Sequence, residues 1–227
     1  MENKKYAVLI IDDHPLITEA YKTAFNFYSK QNEDVIFTIQ TAMNCDSAFE
    51  LINEFCSKEK RLHIVFLDIK LPPSKNGKIL SGEDLGIKIK KLLPDTKIVI
   101  STTFNDNYRI QSIFKSLDPD GFLIKNDITP KDLLETIETI LFDPPYYSKT
   151  VVKLLRKQVT NDFLLDSIDR KILHELSMGT RMKDLPDILP LSIAGIEKRK
   201  RNLKLIFNIN SPDDKELLLI AREKGFI

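Results

Sequence analysis

Three carboxylates stand directly behind short apolar runs: Asp12 and Asp13 follow Ala7 to Ile11, and Asp68 follows Ile64 to Leu67. Runs of this kind read as parallel strands buried on both faces. If the two strands are neighbours, the three acids meet at the carboxyl-end edge of a sheet, where open α/β folds bind ligands. Carboxylates crowded together without a cation repel and raise one another's pKa. Asp12, Asp13 and Asp68 are therefore suited to holding a hard divalent ion such as Mg²⁺, with one carboxylate left free to react. Two more strand ends carry polar groups, Thr102 closing Lys97 to Thr102 and Lys125 following Gly121 to Ile124. Singly, each has an ordinary explanation: Asp caps helices and turns, Thr is a common strand residue, and Lys snorkels into solvent. Together they place three carboxylates, a hydroxyl and an ammonium at the ends of successive strands.

The elements that must position these groups are legible in the alternation of apolar runs and helical patterns over about the first 140 residues, which predicts a parallel sheet with helices on both faces. Five strands are expected, Tyr6 to Ile11, Val35 to Ala42, His63 to Leu67, Lys97 to Thr102 and Gly121 to Ile124. Helices are expected near Pro15 to Ser29, Asp46 to Lys58, Gly82 to Leu93, Asn105 to Leu117 and Thr129 to Phe142. Pro15 suits a first helical turn, where its missing N–H costs nothing. Asp143-Pro144-Pro145 ends the pattern, since paired prolines cannot continue a helix. The expected organisation is a domain over 1–143, a partly helical linker over 144–163, and an all-helical domain over 164–227.

At 227 residues, 42% hydrophobic and 30% charged, the chain has the composition of a soluble protein of two ordinary domains. A net charge of +1 neither drives nor excludes nucleic-acid binding, so any basic surface must be local. Cys45 and Cys56 lack metal-ligand spacing, and Met1 to Tyr6 leads into a strand without an apolar leader, so a cytoplasmic location is expected. No apolar run approaches the roughly 20 residues that span a bilayer, and no membrane role is expected.

On these residues the first 140 positions resemble the receiver domain of two-component response regulators, a five-stranded doubly wound, flavodoxin-like fold. The resemblance implies that Asp68 is the phosphoacceptor, taking a phosphoryl group from a phosphohistidine on a sensor histidine kinase. It implies that Asp12 and Asp13 hold Mg²⁺ with Asp68, that Lys125 pairs with the phosphoryl group, and that Thr102 and Phe122 are the switch hydroxyl and aromatic. Such a domain is not a turnover enzyme; it promotes its own phosphorylation and dephosphorylation. Two departures stand out. The link from Leu71 to Gly82 is long and reads as an exposed loop. Lys70 and Phe104 stand where the family varies the groups that admit hydrolytic water; a cation and a bulky ring there slow dephosphorylation if they face the site, and change nothing if they face outward.

In the carboxyl-terminal region, Asp166 and Asp169 open a helix that Gly179 ends. Leu185, Ile188 and Leu189 give the apolar face of a second helix, Pro190-Leu191 makes a turn, and Ser192 caps a third helix reaching Phe207. Along the third, Ile193, Ile196, Leu203 and Phe207 are expected on one side, with Glu197, Lys198, Arg201 and Lys204 on the other. The run Lys198 to Arg201 alone is equally suited to a solvated face. The order of elements from Leu165 to Ile209, however, resembles the LuxR-type helix-turn-helix of NarL/FixJ response regulators. That resemblance implies a recognition helix in the major groove of double-stranded promoter DNA, with Arg201 reading a base, Lys198, Lys204 and Glu197 at bases or phosphates, and Arg199 on the backbone. It also implies a homodimer on paired half-sites when phosphorylated, with the last helix, Asp213 to Lys224, closing the domain. Ala194-Gly195, Glu197 and Lys200 depart from the family pattern, and Pro186 fits only in the first turn of its helix. Two other functions compete: a receiver-containing interaction protein whose terminal helices bind a protein partner, and a Mg²⁺-dependent phosphohydrolase. The second is weakened because Ile69-Lys70 follows Asp68, leaving no second carboxylate two residues on to act as general acid.

Overall fold

Unbroken runs of Val, Ile, Leu and Phe form strands that must be covered on both sides. In the computed structural model, which describes residues 4–104, 107–156 and 165–227, β1 (Lys4–Ile11), β2 (Val35–Ala42), β3 (Ile64–Asp68), β4 (Lys97–Thr102) and β5 (Gly121–Ile124) run parallel in the order 2-1-3-4-5. The crossovers are α1 (Pro15–Gln31), α2 (Cys45–Ser57), α3 (Gly82–Leu92), α4 (Asn107–Leu117) and α5 (Pro130–Phe142). Val8, Ile10, Ile64, Phe66, Val99 and Leu123 point to one face, packed with Tyr21, Phe25, Ile137 and Ile140 of α1 and α5. Leu9, Ile11, Val65, Leu67, Ile98 and Ile100, the alternate residues of the same strands, are also fully buried. Because β1 and β3 are neighbours with Ile11 opposite Leu67, the acids that follow these residues come to the same edge.

The expected five-stranded sheet has a sixth member. Tyr146–Tyr147 forms β6, parallel to β5, with the Tyr146 N–H donating to the Asp120 carbonyl at 3.0 Å and the Ser148 N–H to the Phe122 carbonyl at 2.9 Å. The prolines before it do stop α5, but they lead into extended geometry, and the two residues that follow pair with the exposed edge of β5. The next segment forms α6 (Lys149–Leu155), with Val151 and Leu154 buried. Two compact units result, Met1–Asn105 with Ile113–Arg156 and Asp106–Ser112 with Lys157–Ile227. Asn105, expected to start the fourth helix, and residues 157–163 of the expected linker lie outside the described residues. Among the described residues, no helix is long and apolar enough to cross a membrane.

In the second unit, the Asp166 side chain accepts from the Asp169 N–H and Asp169 accepts from Asp166, a reciprocal cap that starts α7 (Ser167–Ser177). Gly179, at φ +85°, takes the left-handed turn that ends it. The second helix is a correction. Only a 3₁₀ turn forms, Leu185–Asp187, because Pro186 is tolerated in its first turn and Pro190 prevents any extension. Ser192 caps α8 (Ile193–Ile206), and Asp213 caps α9 (Asp214–Glu223). Leu173, Leu203, Phe207, Leu217 and Ala221 form one core, and Ile172, Leu185, Leu189 and Ile196 a second. Ile193, expected beside them, is 45% exposed instead.

The long link after β3 is not a loose exposed loop. Its tip, Lys75 to Lys78, is exposed, but Leu71, Ser74 and Ile79 are buried. Ser74 and Ile79 close it: the Ser74 N–H donates to the Ile79 carbonyl at 2.8 Å, and the Ile79 N–H to Ser74 Oγ at 3.0 Å. The link ends with α3 starting hard against the end of β3, where a Cβ on Gly82 would lie 1.8 Å from the Asp68 carbonyl oxygen. No rotamer change relieves a clash with backbone. Gly82→Ala should therefore destabilise the protein by about 2 kcal/mol or more, read as a lowered urea midpoint; an unchanged midpoint would show that α3 shifts freely at its start.

Candidate functional site

The register delivers the expected groups to one place. Asp12 and Asp68 are almost wholly buried, and Lys125 Nζ lies between them, 2.7 Å from Asp12 Oδ2 and 2.6 Å from Asp68 Oδ2. Lys125 arrives there because β5 pairs Ile124 with Thr102 of β4, one strand beyond β3. The Lys70 N–H donates to Asp68 Oδ1 at 2.9 Å, and the His14 N–H to Asp12 Oδ1 at 2.9 Å, so both chains turn sharply around the acids they follow. Asp12, Asp13, Asp68 and His14 offer ligand atoms that all lie within 4.8 Å of one another. His14 was not among the groups expected here. Its adjacency to Asp13 was the only signal in the sequence.

Three carboxylates and one ammonium leave an excess of negative charge, with the His14 ring nitrogen 2.6 Å from Asp13 Oδ1. Oxygen-rich and anionic, the cluster fits a hard divalent cation. Burial holds the Asp68 carboxyl above the usual carboxylate range; Lys125 and the Lys70 N–H oppose this, and the charge of Asp12 adds to it.

Around this cluster, Thr102 is fully buried, its Oγ1 accepting from the Phe104 N–H at 3.2 Å. Phe122 is fully buried and stacked on Phe114 of α4, with centroids 5.2 Å apart, and Phe114 in turn meets Tyr147 of β6 edge-on at 5.0 Å. The Tyr21 hydroxyl shares a short hydrogen bond with Ser101, which pairs with Asp68 in the ladder. Phe122 was expected here; its partners Phe114 and Tyr147, and Tyr21, were not. Lys70 is exposed and Phe104 half-buried.

On α8 the expected nucleic-acid residues divide into two groups. Glu197, Lys198 and Arg201 are exposed. Arg199 and Lys204 are engaged within the unit. The Arg199 guanidinium donates to Asp166 Oδ2 and Asp169 Oδ1, both at 2.8 Å, and burial pushes the Asp169 carboxyl up even with that cation beside it. Lys204 Nζ donates to the Pro212 carbonyl at 2.7 Å and pairs with Asp214 at 3.0 Å. Lys200, out of place as an apolar position, pairs with Asp214 at 2.9 Å.

The geometry around Asp68 generates a pH test. Lys125→Met removes the cation that opposes its raised pKa, so the value climbs further. A folded carboxyl that holds its proton more tightly than the unfolded chain, at about 3.9, contributes stability that is complete below that value. This contribution is lost as pH rises through the folded pKa. Unfolding free energies measured by urea titration should fall more steeply from acid to neutral pH in Lys125→Met than in the wild type; parallel profiles would separate Lys125 from the ionisation of Asp68.

Comparison with known proteins agrees with this geometry. Residues 8–138 match the family described as the response regulator receiver domain. The oxygen regulatory protein NreC of Staphylococcus epidermidis is 24% identical over 233 residues, spanning 97% of this chain and 98% of its own. NreC of Staphylococcus carnosus is 21% identical over 97% of this chain and 98% of its own. Among solved structures, RcsB from Salmonella enterica serovar Typhimurium, bound to promoter rprA with the phosphomimetic BeF₃⁻, superposes with a TM-score of 0.65 at 21% identity, covering 96% of this chain and 98% of that one. A structure of two RcsB dimers bound to two parallel DNAs gives 0.58 at 22% identity, covering 98% and 100%. With more than half its length matched and the acid cluster built at the sheet edge, the chain belongs to the response regulator receiver family.

Proposed function

We propose that this response regulator takes a phosphoryl group on Asp68 from a sensor histidine kinase and uses it to gate DNA binding by its carboxyl-terminal unit, controlling transcription. The observation that carries the reading is the convergence of Asp12, Asp13, Asp68, Lys125 and Thr102 at one sheet edge. A carboxylate oxygen of Asp68 attacks the phosphorus of phosphohistidine; the P–O bond forms as the P–N bond breaks, and the electron pair leaves with the imidazole. Asp12, Asp13 and Asp68 would hold Mg²⁺, which when bound would supply charge neutralisation of the phosphoryl oxygens and in-line orientation. Lys125, already at the reacting carboxylate, transfers to the phosphoryl oxygens, and Thr102 and Phe122 carry the switch. In this reading the chain acts in the cytoplasm and modifies only itself.

Exposure on α8 assigns contact with double-stranded DNA first to Lys198, Arg201 and Glu197. Arg201 is the candidate for guanine, and Glu197 for cytosine N4 or a neighbouring cation. Arg199 and Lys204, bonded to α7 and to the start of α9, position the helix and reach phosphates only at its margins. DNA binding by the carboxyl-terminal unit is supported by RcsB, which is bound to promoter DNA in one solved structure and bound to DNA as dimers in another.

Two measurements test the proposal. Molar mass in solution with Mg²⁺ should shift from monomer to dimer on adding beryllofluoride in the wild type and not in Asp68→Ala; the same mass in both would remove Asp68 as the switch. Affinity for a duplex should fall with salt, and Lys198→Ala and Arg201→Ala should each reduce the slope of log affinity against log salt by about one. Binding without salt dependence, or no binding, would favour a protein partner for the terminal unit.

A further inference from the structure

The sheet ends at β2, which among the described residues pairs only with β1. Its eight residues, Val35-Ile36-Phe37-Thr38-Ile39-Gln40-Thr41-Ala42, include neither a charge nor a proline. Edge strands are ordinarily guarded by one of these, because their outward N–H and C=O groups are a template for another strand. Beside this edge, Lys5 of β1, Thr38 and Gln40 of β2, and Lys60, Arg61 and His63 of the link into β3 line a groove of about 520 Å³. The groove is cationic. Lys5, Lys60 and Arg61 are exposed, and among the described residues none of them is in an ion pair. Glu54, the acid on the α2 side, is committed to Lys58 at 2.6 Å. His63 Nδ1 accepts from the Ala7 N–H at 2.9 Å, so the ring proton sits on Nε2 as one more donor.

We infer that the β2 edge and this groove form a docking site for an extended acidic segment of a partner protein. The segment adds a strand to β2, a mode in which main-chain bonds give affinity and alternate side chains give specificity. Successive side chains of a strand point to opposite faces. Thr38 and Gln40 line the groove, whereas Phe37 and Ile39 pack with Tyr6 against the core on the other face. The fitting segment therefore alternates acidic residues, set toward Lys5, Lys60 and Arg61, with apolar ones set toward Phe37 and Ile39. A second copy of this chain meets neither condition. Its β2 supplies no acid, and antiparallel pairing of two β2 strands brings the two cationic grooves together on one face of the joined sheet, where like charges repel.

The test uses the full-length protein and a synthetic, fluorescently labelled peptide as long as β2 in which glutamate and valine alternate. The peptide should bind by anisotropy and shift the backbone amide resonances of residues 35–42. Lys60→Glu with Arg61→Glu should weaken binding roughly tenfold or more while leaving the urea midpoint unchanged. Methylating the peptide's backbone nitrogens at alternate positions separates strand pairing from charge attraction: one set of methyl groups should abolish binding, and the set on the opposite edge should spare it. Absence of binding, or an affinity unchanged by the charge reversal, would overturn the inference. Equal binding of the two methylated peptides would overturn it as well, leaving the groove a site for polyanions of any kind. Self-association of the protein that protects the β2 amides from hydrogen exchange would give the edge to a second copy instead.

Discussion

Lys125 sits between two buried carboxylates, and most of the receiver unit can be understood as the condition for keeping it there. Desolvating Asp12 and Asp68 costs several kcal/mol for each charge unless a cation is held close. Lys125 Nζ meets both within 2.7 Å. For this to happen β1, β3 and β5 must end at the same level, β4 must separate β3 from β5, and α3 must begin at a residue without a side chain. One ammonium among three acids leaves the site short of positive charge. In the proposed function a divalent ion would supply it, and a phosphoryl group, bringing negative charge of its own, would be accommodated only with such added positive charge. The burial that raises the Asp68 pKa also shields its carboxylate from water, while Lys125 beside it favours the ionised form.

The strand ends were legible because each closes a continuous apolar run, and a buried strand has few reasons to finish in a charge. Asp12, Asp68, Thr102 and Lys125 were therefore placed by the sequence pattern before any packing was known. Features that depend on pairing over distance were not visible in this way. Tyr146–Tyr147 is too short to carry a periodic signal, and its strand character comes from the open edge of β5. The link after β3 looks like a loop by composition, but Ser74 folds it back on Ile79. Pro186 could be seen as a difficulty; that it reduces a helix to one 3₁₀ turn depended on Pro190 acting with it. The partners of Arg199, Lys200 and Lys204 lie 33, 14 and 10 residues away for Asp166 and Asp214, beyond the reach of helical spacing. A charge run read along one helix cannot distinguish cations that face a ligand from cations that hold the fold.

The aromatic trio bears on how the switch operates. Phe122 is already inward and stacked on Phe114, so its burial cannot be the change that phosphorylation produces from this arrangement. Phe114, in contact with Phe122 and Tyr147, ties α4 to β5 and β6. What remains adjustable is Thr102. Its Oγ1 accepts from the Phe104 N–H at 3.2 Å, and in the proposed function its O–H would donate to a phosphoryl oxygen, a charge-assisted bond worth about 1.5–3 kcal/mol. An energy of that size shifts a two-state equilibrium by roughly ten- to a hundredfold, enough to regulate a balanced switch but not to rescue one held strongly in either state. On the proposed function the two states of the receiver are close in energy before phosphorylation, and the new bond donated by the Thr102 O–H is what would separate them.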